Sequence, residues 1–279
     1  CWLPFDKEFL ANLREEIDLQ DIDAVIMNHN EVDHSGALPA LMHAIPDVPI
    51  YCTAKGEAII RGHYNERAKD WNFVNVKTGD TLNIGKSTLT FVEAPMLHWP
   101  DTMFTYMDGE NILFSNDGFG QHYATESLFD ERNALDEVLR EAEKYYANII
   151  AIYSAQCKAK LAEIEGMNLP ISLICPSHGV IWRENIPTIL EKYHEWCDSY
   201  QTNQSTISYD TRWNSTRLMS EAIAEGILSY DPDVEIKIMN CAEQDKNDVL
   251  TEVFRSKAIL VGSPTVNYGY TYAIAGTLE

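Results

Sequence analysis

The sequence is poor in the features that would tie it to nucleic acid, a membrane or a disulfide framework. Lys and Arg number 21 against 43 Asp and Glu, a formal net charge of −22 with a pI near 4.6. Nucleic-acid binding depends on basic side chains neutralising phosphates, so a surface this acidic makes nucleic acid and anionic membranes poor partners. No apolar run reaches the roughly 18 to 20 residues that a membrane-spanning helix needs, and no secretory signal opens the chain. The cytoplasm is the expected compartment. The cysteines (Cys1, Cys52, Cys157, Cys175, Cys197 and Cys241) lie far apart with no Cys-x-x-Cys, which argues against a zinc ribbon, a rubredoxin-type site and a tight disulfide framework. They are expected to be buried free thiols. A Gly-x-Gly-x-x-Gly fingerprint is also missing, which disfavours a nicotinamide site. Low-complexity tracts and internal repeats are absent as well.

What is present is a globular composition, 45% hydrophobic and 23% charged over 279 residues, long enough for two ordinary cores. Short apolar runs predict strands over 24–27, 49–53, 81–84, 87–93, 103–107, 111–115 and 171–175, and helical spacing predicts helices over 134–149 and 186–200. The polar stretch 201–205 reads as a linker. Beyond it, strand 206–209, helix 215–228, strand 234–240, helix 245–255 and strand 258–261 alternate, the pattern of half a doubly wound parallel sheet. The expected domains are therefore 1–203 and 204–279. The sequence starts at Cys1 without Met and stops after three strands of that pattern, so both natural ends are expected to lie beyond it.

The first strand runs into His29-Asn30-Glu31-Val32-Asp33-His34, with His29, Glu31, Asp33 and His34 as potential metal ligands within six residues. Any one of these histidines alone is better read as a hydrogen-bonded loop residue. Packed together without a cation, the imidazoles and carboxylates would accumulate repulsion and unmet hydrogen bonds. His98 in Pro95-Met96-Leu97-His98-Trp99-Pro100, Asp117 in Ser115-Asn116-Asp117-Gly118, and His178 in Pro176-Ser177-His178-Gly179 each follow an apolar run, so all could project from one edge of a sheet pair. Three carboxylates (Glu31, Asp33, Asp117) beside four imidazoles make a harder, more anionic site than an all-histidine zinc site, and suit iron.

These segments resemble the metallo-β-lactamase superfamily, an αββα sandwich with two metals at the strand ends. Hydrolases of that superfamily carry His-x-His-x-Asp-His; here Glu31 stands in place of the second His. The His-x-Glu-x-Asp-His form, with the segments Met96 to Asp101 and Ser115 to Gly120, resembles the flavodiiron protein family over essentially the whole chain. The resemblance implies that His29, Glu31 and His98 bind one iron, that Asp33 and His178 bind the other, and that Asp117 bridges. His34 holds a family position that either ligates or swings away, and ranks below the others. His43, His63, His122 and His194 are expected at the surface or behind the ligands, His122 being the best candidate for a supporting role.

In the second half, Tyr209-Asp210-Thr211-Arg212-Trp213-Asn214-Ser215-Thr216 leads from a strand into a helix. Hydroxyls and free N–H groups there make an anion site, though Asn214 or Ser215 could equally be an ordinary helix cap. A second polar loop, Gly262-Ser263-Pro264-Thr265-Val266-Asn267-Tyr268-Gly269, ends the third strand at the same sheet edge, where doubly wound sheets bind ligands. Both loops resemble those of flavodoxins in their flavodiiron variant, which implies FMN held by Thr211, Trp213, Asn214, Ser215 and Thr216 and by Ser263, Pro264, Thr265 and Asn267. The family resemblance as a whole implies a metallo-β-lactamase-like sandwich followed by a truncated flavodoxin-like domain. It implies reduction of dioxygen to water, or nitric oxide to nitrous oxide, at a diiron site fed by FMN. The implied partners are a rubredoxin or a rubredoxin/flavin reductase as electron donor, and a second copy paired head to tail, in a homodimer or tetramer. The rival expectation is a zinc-dependent hydrolase of the same sandwich fold.

Overall fold

A single alternation on one short strand explains how the first half of the chain packs. In the computed structural model, which describes residues 2–279, β1 (Val25–Ile26), β2 (Ile50–Cys52) and β3 (Phe73–Asn75) form a parallel sheet in that order. Between and before them run α1 (Asp6–Glu16), α2 (Val32–Ser35), α3 (Leu38–Ala44) and α4 (Ala54–Tyr64). Successive strand side chains point to opposite faces. On β2, Ile50 and Cys52 therefore enter a core with Leu38, Leu41 and Met42 of α3 and Ile60 of α4. Tyr51 faces the other way and stacks on Phe91, with ring centroids 6.1 Å apart and planes 13° off parallel. Such a pair adds about 0.5–1.5 kcal/mol to its burial.

Phe91 belongs to a second, five-stranded sheet. β4 (Thr81–Asn83), β5 (Thr88–Glu93), β6 (Met103–Met107) and β7 (Ile112–Asn116) are antiparallel neighbours, and β8 (Leu173–Pro176) joins β7 in parallel. The two sheets face each other through Val76, Leu89, Phe91 and Met103, against which Ile26 and Tyr51 pack. α5 (Leu135–Tyr145) and α6 (Ser154–Gly166) lie between β7 and β8 in sequence, and α7 (Ile186–Trp196) follows β8. Leu113 of β7 meets Leu161 of α6 and Ile186 of α7 on the sheet's outer face. The layers are thus helix, sheet, sheet, helix, and burying each large aliphatic or aromatic side chain between them contributes about 1.5–3 kcal/mol.

The chain divides into two compact units, one of residues up to Ala142 with Ile152–Tyr193, the other of Glu143–Ala151 with His194–Glu279. The second unit alternates β9 (Thr202–Tyr209), α8 (Ser215–Tyr230), β10 (Glu235–Asn240), α9 (Lys246–Arg255) and β11 (Ser256–Gly262), followed by α10 (Tyr272–Leu278). Its sheet is parallel in the order β10-β9-β11, so the first strand is central and its run from Gln204 to Tyr209 is buried throughout, as central parallel strands are. Tyr209 pairs with Asn240 on one side and Gly262 on the other, so all three strands end level and deliver their loops to one edge. Within this unit Arg255 Nε donates to Glu143 Oε1 at 2.8 Å and its Nη2 reaches the other oxygen, a two-pronged ion pair that fixes the Glu143–Ala151 segment.

Several sequence expectations change. The stretch 201–205 is not a linker, because β9 begins at Thr202. Gln204 looked like linker polarity, yet its amide donates to Glu252 O at 3.0 Å and to Ser256 Oγ at 3.1 Å inside the unit. The expected helix 134–149 ends as α-helix at Tyr145 and continues as a π turn over Tyr146–Ile150. α1, α3, α4, α6 and β3 were not read from the sequence. Cys52, Cys157 and Cys197 are buried free thiols as expected, whereas Cys175 and Cys241 are free but only half-buried; Cys1 lies outside the described residues. Among the described residues no helix is long and apolar enough to cross a membrane.

Candidate functional site

The first sheet is tied to the second where the ligand-rich loop begins. Asn28, two residues past β1, accepts from Met103 N through its carbonyl at 2.8 Å and from Thr105 Oγ1 through its side chain at 2.6 Å. Its amide donates to Phe114 O at 3.3 Å. The chain emerging from β1 is thereby pinned across β6 and β7, and the residues after Asn28 start at the shared edge of the sandwich.

Seven side chains converge there. His29 Nε2 stands 3.4 Å from Glu31 Oε2, and His98 Nε2 stands 3.3 Å from the same oxygen. His34 Nε2 and His178 Nε2 stand 3.4 and 3.3 Å from Asp33 Oδ2. Asp117, 1% exposed at the end of β7, divides its oxygens between these groups. Its Oδ2 is 3.5 Å from both His29 Nε2 and His98 Nε2, and its Oδ1 is 3.1 Å from His34 Nε2 and 3.4 Å from His178 Nε2. Ligands about 2.0–2.2 Å from one ion stand roughly 3.0–3.5 Å from each other, which is the spacing found within each group. His34, ranked last from the sequence, sits as close to Asp33 and Asp117 as His178 does.

The chemistry of the donor set fits cations. Both oxygens of Asp117 and Oδ1 of Asp33 are buried with no hydrogen-bond partner among the described residues, a costly state for carboxylates unless a positive charge faces them. Although burial alone would raise it, the Asp117 carboxyl is held far below the usual range by the imidazoles of His178, His34 and His29 that surround it. His98 is pushed down by burial.

Behind the ligands lies a layer that sequence reasoning missed. Asp101, fully buried, accepts from Asn30 N and Asn30 Nδ2 at 2.8 Å each and lies 3.2 Å from His29 Nδ1. Burial opposes its ionisation, but the bonds to His29 and Asn30 hold its carboxyl below the usual range. A carboxylate on Nδ1 fixes the ring and leaves Nε2 free for a metal. Gln121 joins two ligand loops: its N donates to His178 O at 3.2 Å, its Nε2 to Phe119 O at 2.8 Å, and its Oε1 accepts from Val180 N at 2.7 Å. Only Asp101 carried a signal, closing the segment Met96 to Asp101. His43, His63, His122 and His194 are exposed, and the His122 ring is 5.4 Å from that of His178.

The ligand loops are held in uncommon backbone conformations. Met96, Asn116 and Phe119 have φ of 67°, 54° and 66°, and Gly179 has 81°. At Gly179 a Cβ would lie 2.6 Å from Gln121 O and collide with Gln121 Oε1 as well, so only glycine fits beside His178. Left-handed non-glycine residues cost about 1–3 kcal/mol each and gather at functional sites.

In the second unit, the FMN candidates flank the level strand ends. Asn214, at φ 65°, starts α8 with no side-chain cap bond, so the ordinary capping role is not taken and the helix's first N–H groups face outward. Thr211 Oγ1, in the loop leading into α8, is buried without a partner. Free amides and an orphaned hydroxyl at a helix N-terminus suit a phosphate. Thr216 packs against β11, its Cγ2 2.9 Å from where a Cβ on Gly262 would be. Trp213 is 87% exposed. On the other loop Ser263 Oγ is engaged with Thr271 N at 3.0 Å, closing the loop on itself, while Asn267 and Tyr268 form a left-handed pair between the bridged Val266 and Gly269. Pro264 and Thr265 lie on the approach to that turn.

Residues 4–179 match the family model described as ODP family beta lactamase. The anaerobic nitric oxide reductase flavorubredoxin of Klebsiella pneumoniae is 52% identical over 276 residues, covering 99% of this chain and 57% of that protein; the chain thus spans little more than half the length of such curated relatives. The rubredoxin oxygen:oxidoreductase of Desulfovibrio gigas superposes with a TM-score of 0.94 at 35% identity, covering 99% of this chain and 69% of that one. The flavodiiron protein of Giardia intestinalis superposes with a TM-score of 0.92 at 31% identity, with coverage of 99% and 67%. Agreement of this extent in both sequence and backbone shows that the chain belongs to the flavodiiron protein family.

Proposed function

We propose that the chain carries the metal and flavin centres of an oxidoreductase that reduces dioxygen to water, nitric oxide to nitrous oxide, or both. The observation that carries this reading is the division of the Asp117 oxygens between two histidine–carboxylate groups, with Glu31 supplying a carboxylate to the first. His29, Glu31 and His98 hold one iron; Asp33, His34 and His178 hold the other; Asp117 serves both. When bound, the irons supply reversible one-electron chemistry and FMN links them to the electron donor.

The chain's own residues set the conditions. Asp101 keeps Nε2 of His29 unprotonated and aimed at its ion by occupying Nδ1. Burial of His29 and Asp117 excludes water from one side of the site, which strengthens every charge interaction within it. At α8 the backbone N–H groups, Thr211, Ser215 and Thr216 receive the FMN phosphate, Trp213 and Asn214 shape that loop, and Ser263, Pro264, Thr265 and Asn267 border the ring. The diiron site then belongs to the unit of residues up to Ala142 with Ile152–Tyr193, and the FMN site to the unit of Glu143–Ala151 with His194–Glu279. The electron donor is a soluble one such as rubredoxin or a rubredoxin/flavin reductase, with the cytoplasm as compartment and a head-to-tail homodimer or tetramer as the assembly, as the family resemblance implies.

The test is metal and flavin content of the full-length protein, followed by anaerobic reduction and exposure to each gas. Close to two irons per chain and flavin reoxidation by dioxygen or nitric oxide are expected. Two zincs with ester or amide hydrolysis would overturn the reading.

A further inference from the structure

Beneath the loop that carries Asp117 lies an apolar pocket of about 250 Å³, lined by Leu113, Phe119, Leu161, Ile164, Glu165, Leu169, Ile171, Ile186 and Leu190. Its floor is buried: Leu113 of β7, Phe119, Leu161 of α6 and Ile186 of α7 are each 8% exposed or less. Ile164, Leu169, Ile171 and Leu190 are half-buried around the mouth, and Glu165 is exposed there. None of the lining residues has a buried side-chain polar atom lacking a partner, so no side chain inside the pocket calls for water. An apolar cavity of about 150 Å³ stays dry and takes up benzene or xenon. Two larger hollows of the same unit differ: one of about 800 Å³ is lined by Asp6, Arg67 and Asp70, and one of about 560 Å³ by Arg14 and Asp18. Charged walls keep those wet.

Phe119 connects the pocket to the metal cluster. It lies two residues past Asp117, and its backbone is fixed from both ends. Its N donates to Tyr193 Oη at 2.7 Å, its carbonyl accepts from Trp182 Nε1 at 2.8 Å, and its ring packs on Tyr193 at 4.4 Å between centroids. Leu113 sits on β7, the strand that ends at Asn116 beside Asp117. The pocket wall and the shared carboxylate are therefore parts of one rigid piece of chain.

We infer that this pocket is a docking site for a small neutral apolar gas, holding it beside the Asp117 loop. The inference rests on the proposed function for the identity of the gas, dioxygen or nitric oxide, but not for the binding itself. Such molecules favour apolar surroundings over water, and the cluster of carboxylates and imidazoles offers them none. An apolar pocket walled by the chain segment that carries Asp117 raises their local concentration without competing for the ions.

The experiment uses xenon as a probe on crystals of the full-length, iron-loaded protein, together with steady-state kinetics of Ile164→Trp. A second variant, Leu190→Trp, fills the mouth from the other helix in case the first does not fold. Xenon is expected between Phe119, Leu161 and Ile186 in the wild type and to be lost in the variant. Iron content and kcat are expected to stay at the wild-type level while KM for the gas rises about three- to tenfold, the signature of lost binding that does not alter the chemical step. No xenon in the pocket, ordered water in its place, or a filled pocket with unchanged KM each overturns the inference. Xenon binding requires no turnover, so absence of gas reduction alongside bound xenon would count against the proposed function and leave the site standing.

Discussion

His29 Nδ1 lies 3.2 Å from a carboxylate oxygen of Asp101, a residue 72 positions further along the chain and fully buried. The same carboxylate also receives both nitrogens of Asn30, so one side chain orients the first ligand and the backbone that follows it. Asp101→Asn removes the negative charge and one of the two oxygens facing His29 while preserving shape, and is expected to weaken metal retention about 10- to 100-fold. Iron occupancy against a competing chelator measures this; unchanged retention would show that His29 is oriented by something else.

Replacing Asp117 with Asn should cost both ions together, since each oxygen faces a separate histidine–carboxylate group. The readout is metal per chain by elemental analysis. Loss of a single ion would show that Asp117 serves one group only.

For the flavin, Thr211→Ala combined with Thr216→Ala in the full-length protein is expected to lower FMN content and turnover while iron stays in place. Thr211 Oγ1 is the buried hydroxyl left without a partner at the start of α8, so its removal costs the empty fold little. Wild-type turnover from a flavin-free preparation would contradict the proposed electron path.

Asp130 yields a prediction about acid stability that is independent of metals. Buried beside α7, it accepts from the N–H groups of Arg183 at 2.7 Å, Glu184 at 3.3 Å and Asn185 at 2.8 Å, and from Asn185 Nδ2 at 2.7 Å. Burial alone would raise its carboxyl, but these donors hold it below the ordinary value. A depressed folded-state value means the stabilisation is complete above the unfolded value, about 3.9, and is lost as pH falls from there through the folded one. Asp130→Asn should therefore destabilise by about 1–3 kcal/mol at neutral pH, and the gap between variant and wild type should close below about pH 4. Denaturant titrations at both pH values check the sign.

β11 pairs only with β9 among the described residues, and Ile259 and Val261 are about half exposed on it, at 50% and 47%. An open edge rich in β-branched residues is a template for further pairing. In the 279-residue chain expressed alone, Ile259→Lys is expected to reduce aggregation in light scattering without lowering the melting temperature by more than about 3 °C.

What was legible in the sequence was local. His29 to His34 stand within six residues, and the strand-then-polar-loop pattern placed His98, Asp117 and His178 at an edge. The alternation after residue 205 likewise showed a parallel sheet, because its apolar runs are short and separated by helical spacing. Partners that act at a distance were invisible: Asn28, Gln121 and Tyr193 matter through residues tens of positions away, and nothing in their neighbourhoods marks them. Gln204 misled for the same reason, since Glu252 and Ser256 satisfy its amide only once α9 is folded onto β9. α6 was missed because its charged and apolar residues do not separate cleanly around the helix.

The left-handed positions at Met96, Asn116, Phe119 and Gly179 bracket His98, Asp117 and His178. A chain that holds unfavourable torsions beside mutually repelling carboxylates relaxes there first once the opposing charges are withdrawn. The amides of 96–98, 116–119 and 178–179 should thus exchange with deuterated solvent far sooner in chelated protein than in the iron-loaded form, while those of β5 and β6 keep their pace. If two ions bind as proposed, they act as a fastener that keeps three loops from breathing.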